Sequence, residues 1–385
     1  MNQELVDKAI ALAPALKARA EAAEKDRNVP AETIKDFVDT GLVKVLVPER
    51  FGGYQADWET LYEIIYQLSR GDAAQAWVYA VFAVHAVDIT MFGARAQEEI
   101  WGQEKFTLLC SGVAPNGKGE RTDGGAVISG RWGFSSGNAH ADWAQLGVML
   151  ADEKTGEPAY HLCLVPRDEI ETVDTWHAMG LAGTGSGDLI VKDTFVPDYR
   201  IITRLSQREG TSPGTALYDD KLYASPFLII GPTSLAMVVA GAAQGAIDEY
   251  IGFTKERHKR GNPAAERESM QLRVAEATAE ADCARMLLMR IARTTTEYMR
   301  RDGSLPMDIR ARSRRDTGYS CNLSRRAVER LFEESGANGL YLNSPFQRYY
   351  RDVKAGATHF GIGWDRCGTA YGKYAFGIDP GPDAI

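Results

Sequence analysis

The chain has 385 residues, 44% hydrophobic and 25% charged, which is typical of a globular protein of two or three domains. Basic residues number 44 and acidic residues 52, and the net charge of −8 argues against a nucleic acid or an anionic membrane as partner. The five cysteines form no C-x-x-C pair and indicate reduced thiols in a cytoplasmic protein: Cys110, Cys163, Cys283, Cys321 and Cys367.

Residues 1–105 are predicted to form an N-terminal helical domain. Leu5, Ala9, Leu12 and Leu16 recur at helical spacing, and this first segment lacks the basic and apolar parts of a signal peptide. Residues 73–87 are apolar nearly all round, so we expect their helix to be buried on every side.

Residues 106–205 are predicted to form a middle β domain. Short runs with strand composition are separated by glycine-rich turns, which is typical of a small antiparallel sandwich or barrel. The runs are 126–129, 144–150, 159–165, 189–191 and 194–196.

Residues 206–385 are predicted to form a C-terminal helical bundle domain. Residues 224–247 are uncharged and long enough to raise the question of a membrane span, but their prolines and polar side chains favour a buried helix. Small and apolar residues recur at steps of four and three along 270–291, a stripe that favours helix packing, here expected across subunits. The order helical, β, helical argues against a Rossmann fold.

Common catalytic motifs are missing from the sequence. It contains no GxxxxGK[ST], HExxH or GxSxG string, and its six histidines have no metal-ligand spacing. Residues 183–188 look like a dinucleotide-binding loop, but Asp188 stands where the last glycine of that motif would be. A glycine-rich turn between two strands is the better interpretation, and no metal site is predicted.

Three strings in order resemble signatures of the acyl-CoA dehydrogenase superfamily. Residues 47–53 (VPERFGG) are similar to its N-terminal signature, residues 256–292 to its central bundle helices and residues 336–352 to its C-terminal signature. The resemblance implies a mainly α fold with a central β domain: an N-terminal helical domain, a middle β-sandwich or barrel and a C-terminal four-helix bundle. It also implies a homotetramer with a flavin between the β domain and the bundle.

The superfamily contains two chemistries, and the sequence favours one of them. A dehydrogenase needs a carboxylate base, which in most members follows the Arg–Asp pair. Here residues 351–361 contain no glutamate, and the other known position, within 229–234, contains none either. An acyl-CoA dehydrogenase-like flavin dehydrogenase therefore stays the alternative, and a non-enzymatic scaffold is a third possibility.

The features resemble instead the oxygenase components of two-component flavin monooxygenases that hydroxylate phenols and indoles. Such components take reduced FMN or FAD from a separate NAD(P)H-dependent flavin reductase. They react it with O2 to a C4a-hydroperoxyflavin, which hydroxylates the small aromatic substrate in a water-poor cavity. The sequence leaves open which flavin, which reductase and which aromatic substrate are used.

The resemblance implies catalytic roles for three residues. His359, with an ordinary pKa near ~6.5, would be the acid–base group. His85 would hold the polar atom of the substrate, although a lone histidine in an apolar helix can also be a hydrogen-bonded core residue. Ser136 would bond near N5 of the flavin and stabilise its oxygenated form, with Ser135 as the competing or second flavin contact.

The resemblance implies further contacts from five residues. Trp77 would be an aromatic wall of the substrate pocket, and Ser111 would contact substrate and flavin. Thr184 and Ser186 would contact the flavin from the β domain, and Arg257 would reach its phosphate across a subunit interface. The simpler alternatives are core packing for Trp77, turn formation for Thr184 and Ser186, and an exposed charge for Arg257.

Overall fold

The computed structural model describes residues 1–103, 106–152, 155–259, 262–381 and 384–385. The predicted boundary at 105/106 falls on a residue outside these ranges. Within them, α-helices come first, and the side chains of Asn2, Asp57 and Asp72 cap the N-termini of α1, α3 and α4. The helices are α1 (Gln3–Asp26), α2 (Ala31–Asp39), α3 (Trp58–Gly71), α4 (Ala73–Met91) and α5 (Ala94–Trp101).

The middle of the chain forms a seven-stranded mixed sheet with strand order β5-β6-β2-β1-β3-β4-β7. The strands are β1 (Leu109–Thr122), β2 (Gly125–Trp132), β3 (Trp143–Ala151), β4 (Pro158–Pro166), β5 (Glu171–Val173), β6 (Asp188–Pro197) and β7 (Ile201–Thr203). The hairpin from β1 to β2 turns at Gly124, whose φ of +72° is in the left-handed region that favours glycine.

The sequence predicted an antiparallel sheet, and this prediction was wrong for one pair of strands. β1 runs parallel to β3, with Leu109 opposite Trp143, while the other neighbouring strands are antiparallel. The reason is the segment 133–142, which carries the chain from the end of β2 to the start of β3 on the other edge of β1, so that no hairpin joins β1 to β3. β1 was not among the predicted runs, because its polar, glycine-containing second half hides the strand pattern.

Helices return after the sheet and form a bundle. The elements are α6 (Arg204–Glu209), α7 (Phe227–Glu256), the paired short strands β8 (His258–Lys259) and β9 (Asn262–Pro263), α8 (Glu268–Asp302), α9 (Met307–Ser335), α10 (Pro345–Gly356) and α11 (Trp364–Ala375). Helices α7, α8, α9 and α10 pack against one another, and α3 and α4 pack against α7. The N-terminal helices and the bundle therefore share a core.

The apolar stripe along α8 faces the interior of its own bundle. Met270, Ala277, Ala284 and Ile291 are buried, and Val274 is half-buried. The expectation that this stripe packs across subunits was therefore wrong, because the side chains are already covered by helices of the same chain. The stripe carries no argument for a tetramer.

Helices α4 and α7 are long and apolar enough to cross a membrane by length and composition alone. Their most apolar segments are 94% and 72% buried inside the fold, as expected for core helices of a globular protein. In α4 every residue except Val81 is buried, which confirms the prediction of a helix covered on all sides.

Candidate active site

One face of α4 carries Trp77, Val81 and His85 at successive turns of the helix. Val81 is the half-buried residue between two buried ones, so this stripe borders an opening in the fold. The turn at Gly137 lies against the same helix, because a Cβ built there would come within 2.7 Å of Val78 and 2.8 Å of Phe82. Helix α4 therefore carries Trp77 and His85 and supports the turn that follows Ser136.

His85 presents a hydrogen-bond acceptor. Its Nδ1–H donates to the carbonyl oxygen of Leu109 on β1 at 2.7 Å, which assigns the neutral tautomer and leaves Nε2 with its lone pair. Burial lowers the pKa of the imidazole to about 4, and the bond to Leu109 opposes this only in part. At neutral pH His85 is uncharged and able to accept a proton at Nε2.

His359 presents a donor. It follows α10, and its ring meets the Trp77 ring edge-on at 5.6 Å between centroids. Its Nδ1 accepts from the backbone N–H of Gly361 at 3.1 Å, so the neutral tautomer carries its proton on Nε2. Two neutral imidazoles thus border the α4 stripe, His85 with an acceptor and His359 with an N–H donor.

The ordinary pKa predicted for His359 is wrong in this structure. Protein atoms packed around the ring lower its pKa to about 4 by removing its hydration. The residue is nevertheless exposed to solvent in the single chain, and a ring that meets water on one side loses less of its hydration than an enclosed one. The pKa of His359 therefore lies below its ordinary value, and the ring is neutral at pH 7.

Three hydroxyl groups form a directed chain behind the turn at Gly137. Thr184 Oγ1 donates to the Leu181 carbonyl at 2.8 Å, Ser186 Oγ lies 2.7 Å from Thr184 Oγ1, and Ser136 Oγ lies 2.8 Å from Ser186 Oγ. Because the hydroxyl proton of Thr184 is already donated to the Leu181 carbonyl, Ser186 must donate its proton to Thr184 Oγ1. Ser136 must then donate its proton to Ser186 Oγ. Ser136 is left with lone pairs, so it can accept a hydrogen bond from an incoming N–H group.

Leu181 organises the loop that carries two of these hydroxyls. Its φ of +53° lies in the left-handed region, which non-glycine residues rarely adopt. Its carbonyl accepts from the N–H and hydroxyl of Thr184 and from the indole N–H of Trp176, and its own N–H donates to Asp352 on α10. The loop conformation is therefore held by bonds from both sides.

Three predicted residues lie apart from this hydroxyl chain. The hydroxyl of Ser135 is buried next to the Cys110 thiol, and Ser111 is half-buried two residues after Leu109 on β1. Arg257 caps the far end of α7 and donates to the Ser335 carbonyl at 3.1 Å. Among the contacts of the described residues, none connects Arg257 with the hydroxyl chain within one chain.

A surface pocket of about 700 Å³ lies elsewhere, and none of the predicted site residues lines it. Its lining includes Arg50, Phe51, Arg95, Glu98 and Trp101. In the part of the chain that the structure describes, no group of three or more His, Cys, Asp or Glu side chains could hold a metal ion.

Family comparisons agree with this arrangement. The N-terminal domain family of acyl-CoA dehydrogenases matches residues 3–104, and the C-terminal domain family matches residues 233–364. HsaA from Mycobacterium tuberculosis, the oxygenase subunit of a flavin-dependent monooxygenase, is 34% identical over 97% of this chain and 95% of its own. The chain belongs to the acyl-CoA dehydrogenase superfamily, in its branch of flavin-dependent oxygenase subunits.

One further relative and the crystal structure of HsaA support the same assignment. The oxygenase component of a FADH2-dependent resorcinol hydroxylase from a Rhizobium species is 35% identical over 98% of this chain and 95% of its own. The crystal structure of HsaA from M. tuberculosis superposes with a TM-score of 0.93 at 32% identity, covering 100% of this chain and 99% of that one. The family resemblance and the acyl-CoA dehydrogenase-like fold predicted from the sequence are confirmed.

The site of this acyl-CoA dehydrogenase superfamily member fits a flavin ring, which needs polar partners for its edge and flat surfaces for its faces. The directed hydroxyls of Ser136, Ser186 and Thr184 supply the polar partners. Beside them, Phe134 is 81% exposed and meets Trp176 edge-on at 6.0 Å between ring centroids. Phe134 also has a positive φ of 62°, a backbone conformation that non-glycine residues rarely adopt, and its ring is exposed to solvent.

Sequence reasoning missed four residues around this site. Phe134, Trp176 and Leu181 carry no signal in a single sequence beyond an aromatic or apolar side chain in a loop. Asp88 does carry one, because a carboxylate three residues after His85 interrupts an otherwise apolar helix.

Proposed function

We propose that this chain is the oxygenase component of a two-component monooxygenase that hydroxylates a small aromatic substrate of phenol or indole type. The observation that carries the proposal is the pair of neutral imidazoles, His85 and His359, beside helix α4, against which the turn at Gly137 also packs. When bound, reduced FMN or FAD would supply the electrons that activate O2 for transfer of one oxygen atom to the ring.

The chain's own residues would orient the substrate and move its proton. His85 Nε2 would accept the hydrogen bond of the substrate's O–H or N–H group, since the ring is buried and a buried polar atom without a partner is costly. Withdrawing that proton makes an aromatic ring richer in electrons at the carbon to be hydroxylated. His359 would donate from Nε2, and Trp77 would hold its ring edge-on.

The flavin would be held by the hydroxyl chain and by the aromatic surfaces of Phe134 and Trp176. We propose Thr184 and Ser186 as the support and Ser136 as the contact, with an acceptor directed at the flavin. Ser111 would line the substrate side from β1. Arg257 would reach a flavin phosphate only from a neighbouring subunit, because no contact brings it to this loop in its own described chain.

The decisive experiment is a single turnover with reduced flavin. The purified chain is mixed without oxygen with reduced FMN or FAD and a simple phenol or indole, then exposed to O2, and the hydroxylated product is measured. We expect product in the absence of any reductase and no oxidation of NADH by the chain alone. Electron transfer from an acyl-CoA thioester to the flavin would contradict the proposal and favour the dehydrogenase alternative.

Assembly and location form a separate part of the proposal. We propose a homotetramer in the cytoplasm, served by an NAD(P)H-dependent flavin reductase. All five cysteines are free, which is usual in a reducing compartment. Light scattering that gives the mass of a single 42.2 kDa chain would contradict the tetramer and the role of Arg257 across subunits.

A further inference from the structure

Asp88 is a buried carboxylic acid next to His85. Its side chain is fully buried, and its Oδ2 lies 3.9 Å from His85 Nε2, the atom that would receive the substrate's proton. Oδ2 is enclosed and has no hydrogen-bond partner in the described protein. A carboxylate oxygen in this position is costly to bury unless a positive charge forms beside it.

The other carboxylate oxygen is held by a polar relay from α6. Gln207, also fully buried, donates from Nε2 to Asp88 Oδ1 at 2.6 Å, and the guanidinium of Arg204 donates to the Gln207 side-chain oxygen. The amide therefore links a permanent positive charge to the carboxylate. This fixed bond aims the free oxygen, Oδ2, at the imidazole.

We propose that Asp88 is a positioning residue whose carboxylate stabilises the imidazolium formed when His85 Nε2 takes the proton of a bound phenol. The substrate's O–H bond breaks, the electron pair stays on the phenolate oxygen, and the proton forms the new N–H bond on His85. No charge leaves the site: a neutral pair becomes a phenolate and an imidazolium, and the imidazolium faces Asp88. This proposal rests on the proposed hydroxylase function.

The charge environment of Asp88 permits this role near neutral pH. Burial raises its pKa to about 7, while the Arg204 charge and the Gln207 hydrogen bond oppose the rise. On α4 the neighbouring titratable group is His85. Among the described residues, Arg204 on α6 is the charged side chain from another element that affects the pKa of Asp88. The segments of β1 and the start of α7 that face Asp88 carry no charged side chain. Above neutral pH Asp88 is therefore ionised.

The proposal is tested on the flavin-free protein with 4-hydroxyacetophenone, a phenol whose anion absorbs at longer wavelength than the neutral molecule. Just above neutral pH, the absorbance gives the ratio of phenolate to phenol in the bound state. We expect the wild-type protein to raise this ratio above that in water. Asp88→Asn, which keeps the shape and the acceptor for Gln207, should lower the ratio about tenfold or more, since a facing opposite charge is lost.

Two controls separate this role from a structural one. Asp72→Asn alters another buried aspartate, the N-cap of the same helix, and should leave the ratio unchanged. Arg204→Gln removes the charge that favours the ionised carboxylate and should lower the ratio, whereas Arg204→Lys should retain it. These two variants also keep the test decisive if Asp88→Asn folds poorly.

The outcomes distinguish failure of this inference from failure of the proposed function. If the wild-type protein binds and ionises the phenol and Asp88→Asn does so equally, Asp88 is structural and the inference is overturned, while the hydroxylase proposal stands. If the wild-type protein neither binds nor ionises the phenol, the inference is overturned together with the assignment of His85 to a phenolic substrate.

Discussion

Asp352 accepts a hydrogen bond from the backbone N–H of Leu181 at 2.6 Å, which connects the C-terminal bundle to the loop between β5 and β6. The residue is buried on α10, seven positions before His359. One short segment of the bundle, residues 352–359, therefore holds the hydroxyl-bearing loop and carries the histidine that meets Trp77. Its function is proposed to be the alignment of the two halves of the site.

Removal of this bond should loosen the loop. Asp352→Ala leaves the buried Leu181 N–H without a partner, and we expect a loss of about 1–3 kcal/mol in the free energy of unfolding. Binding of reduced FMN, measured by fluorescence titration without oxygen, should weaken roughly tenfold. Asp352→Asn keeps an acceptor at Oδ1 and serves as the matched control. Equal flavin affinity in wild type and Asp352→Ala would show that the loop needs no anchor.

Asp352 should also make stability depend on pH. Burial, with the nearby charge of Asp72, raises its pKa to about 7, so the folded state favours the protonated form. The stabilisation is present below the ordinary pKa of an aspartate and is lost as the pH rises to about 7. Relative to Asp352→Asn, the wild-type free energy of unfolding should fall over this window by up to about 4 kcal/mol.

Urea unfolding at several pH values measures that difference. Asp174 provides a contrast of opposite sign, because the exposed ion pair with Arg27 lowers its pKa. A wild-type and Asp352→Asn pair with parallel pH profiles would show that Asp352 stays ionised in the fold.

The order of helical and β segments and the buried helix α4 could be predicted from the sequence because they depend on local patterns. The apolar run around Trp77 and His85 predicts a buried helix, whereas the flavin contacts expected of Ser136 and Thr184 rest on the family resemblance. The approach of Ser136 to Ser186 depends on the pairing of β2 with β6, which no periodicity reveals.

Protonation states could not be predicted from the sequence. His359 was expected to have an ordinary pKa suited to acid–base work, but its ring meets Trp77, and packed protein atoms lower the pKa by removing hydration. The pairing of β1 with β3 could not be predicted from the sequence either. It depends on where the chain returns to the sheet after β2, and the sequence of β1 does not determine its partner.

The direction of the hydroxyl chain leads to a prediction about coupling. Because Ser136 donates to Ser186, it offers an acceptor to the flavin, and Ser136→Ala should remove a hydrogen bond of about 0.5–1.5 kcal/mol, or more in a dry site. We expect oxygen consumption to continue while more of the oxygen leaves as hydrogen peroxide. The measurement is hydroxylated product formed per O2 consumed.

Two neighbouring variants make this prediction specific. Ser186→Ala removes the acceptor of the Ser136 proton, so Ser136 is free to turn and donate, and coupling should fall although Ser136 is intact. Ser135→Ala changes the hydroxyl beside Cys110 and should leave coupling unchanged. If Ser135→Ala uncouples the reaction and Ser136→Ala does not, the contact is made by the other serine.

His359→Ala should slow hydroxylation without preventing flavin binding. The variant removes the Nε2–H donor at the cleft while the hydroxyl chain and the Leu181 loop keep their bonds, so we expect a fall of about 10²–10⁴-fold in the rate. His359→Gln, whose amide also offers an N–H, should recover part of the rate.

The single-turnover rate and the affinity for reduced FMN are measured together, since a structural role of His359 would lower both. Because packed protein atoms lower the pKa of His359 and the ring is neutral at pH 7, the wild-type rate should show no titration of this ring near the ordinary histidine pKa of ~6.5. An undiminished rate in His359→Ala would show that this residue only packs against Trp77, and the donor would then have to be sought elsewhere along the α4 face.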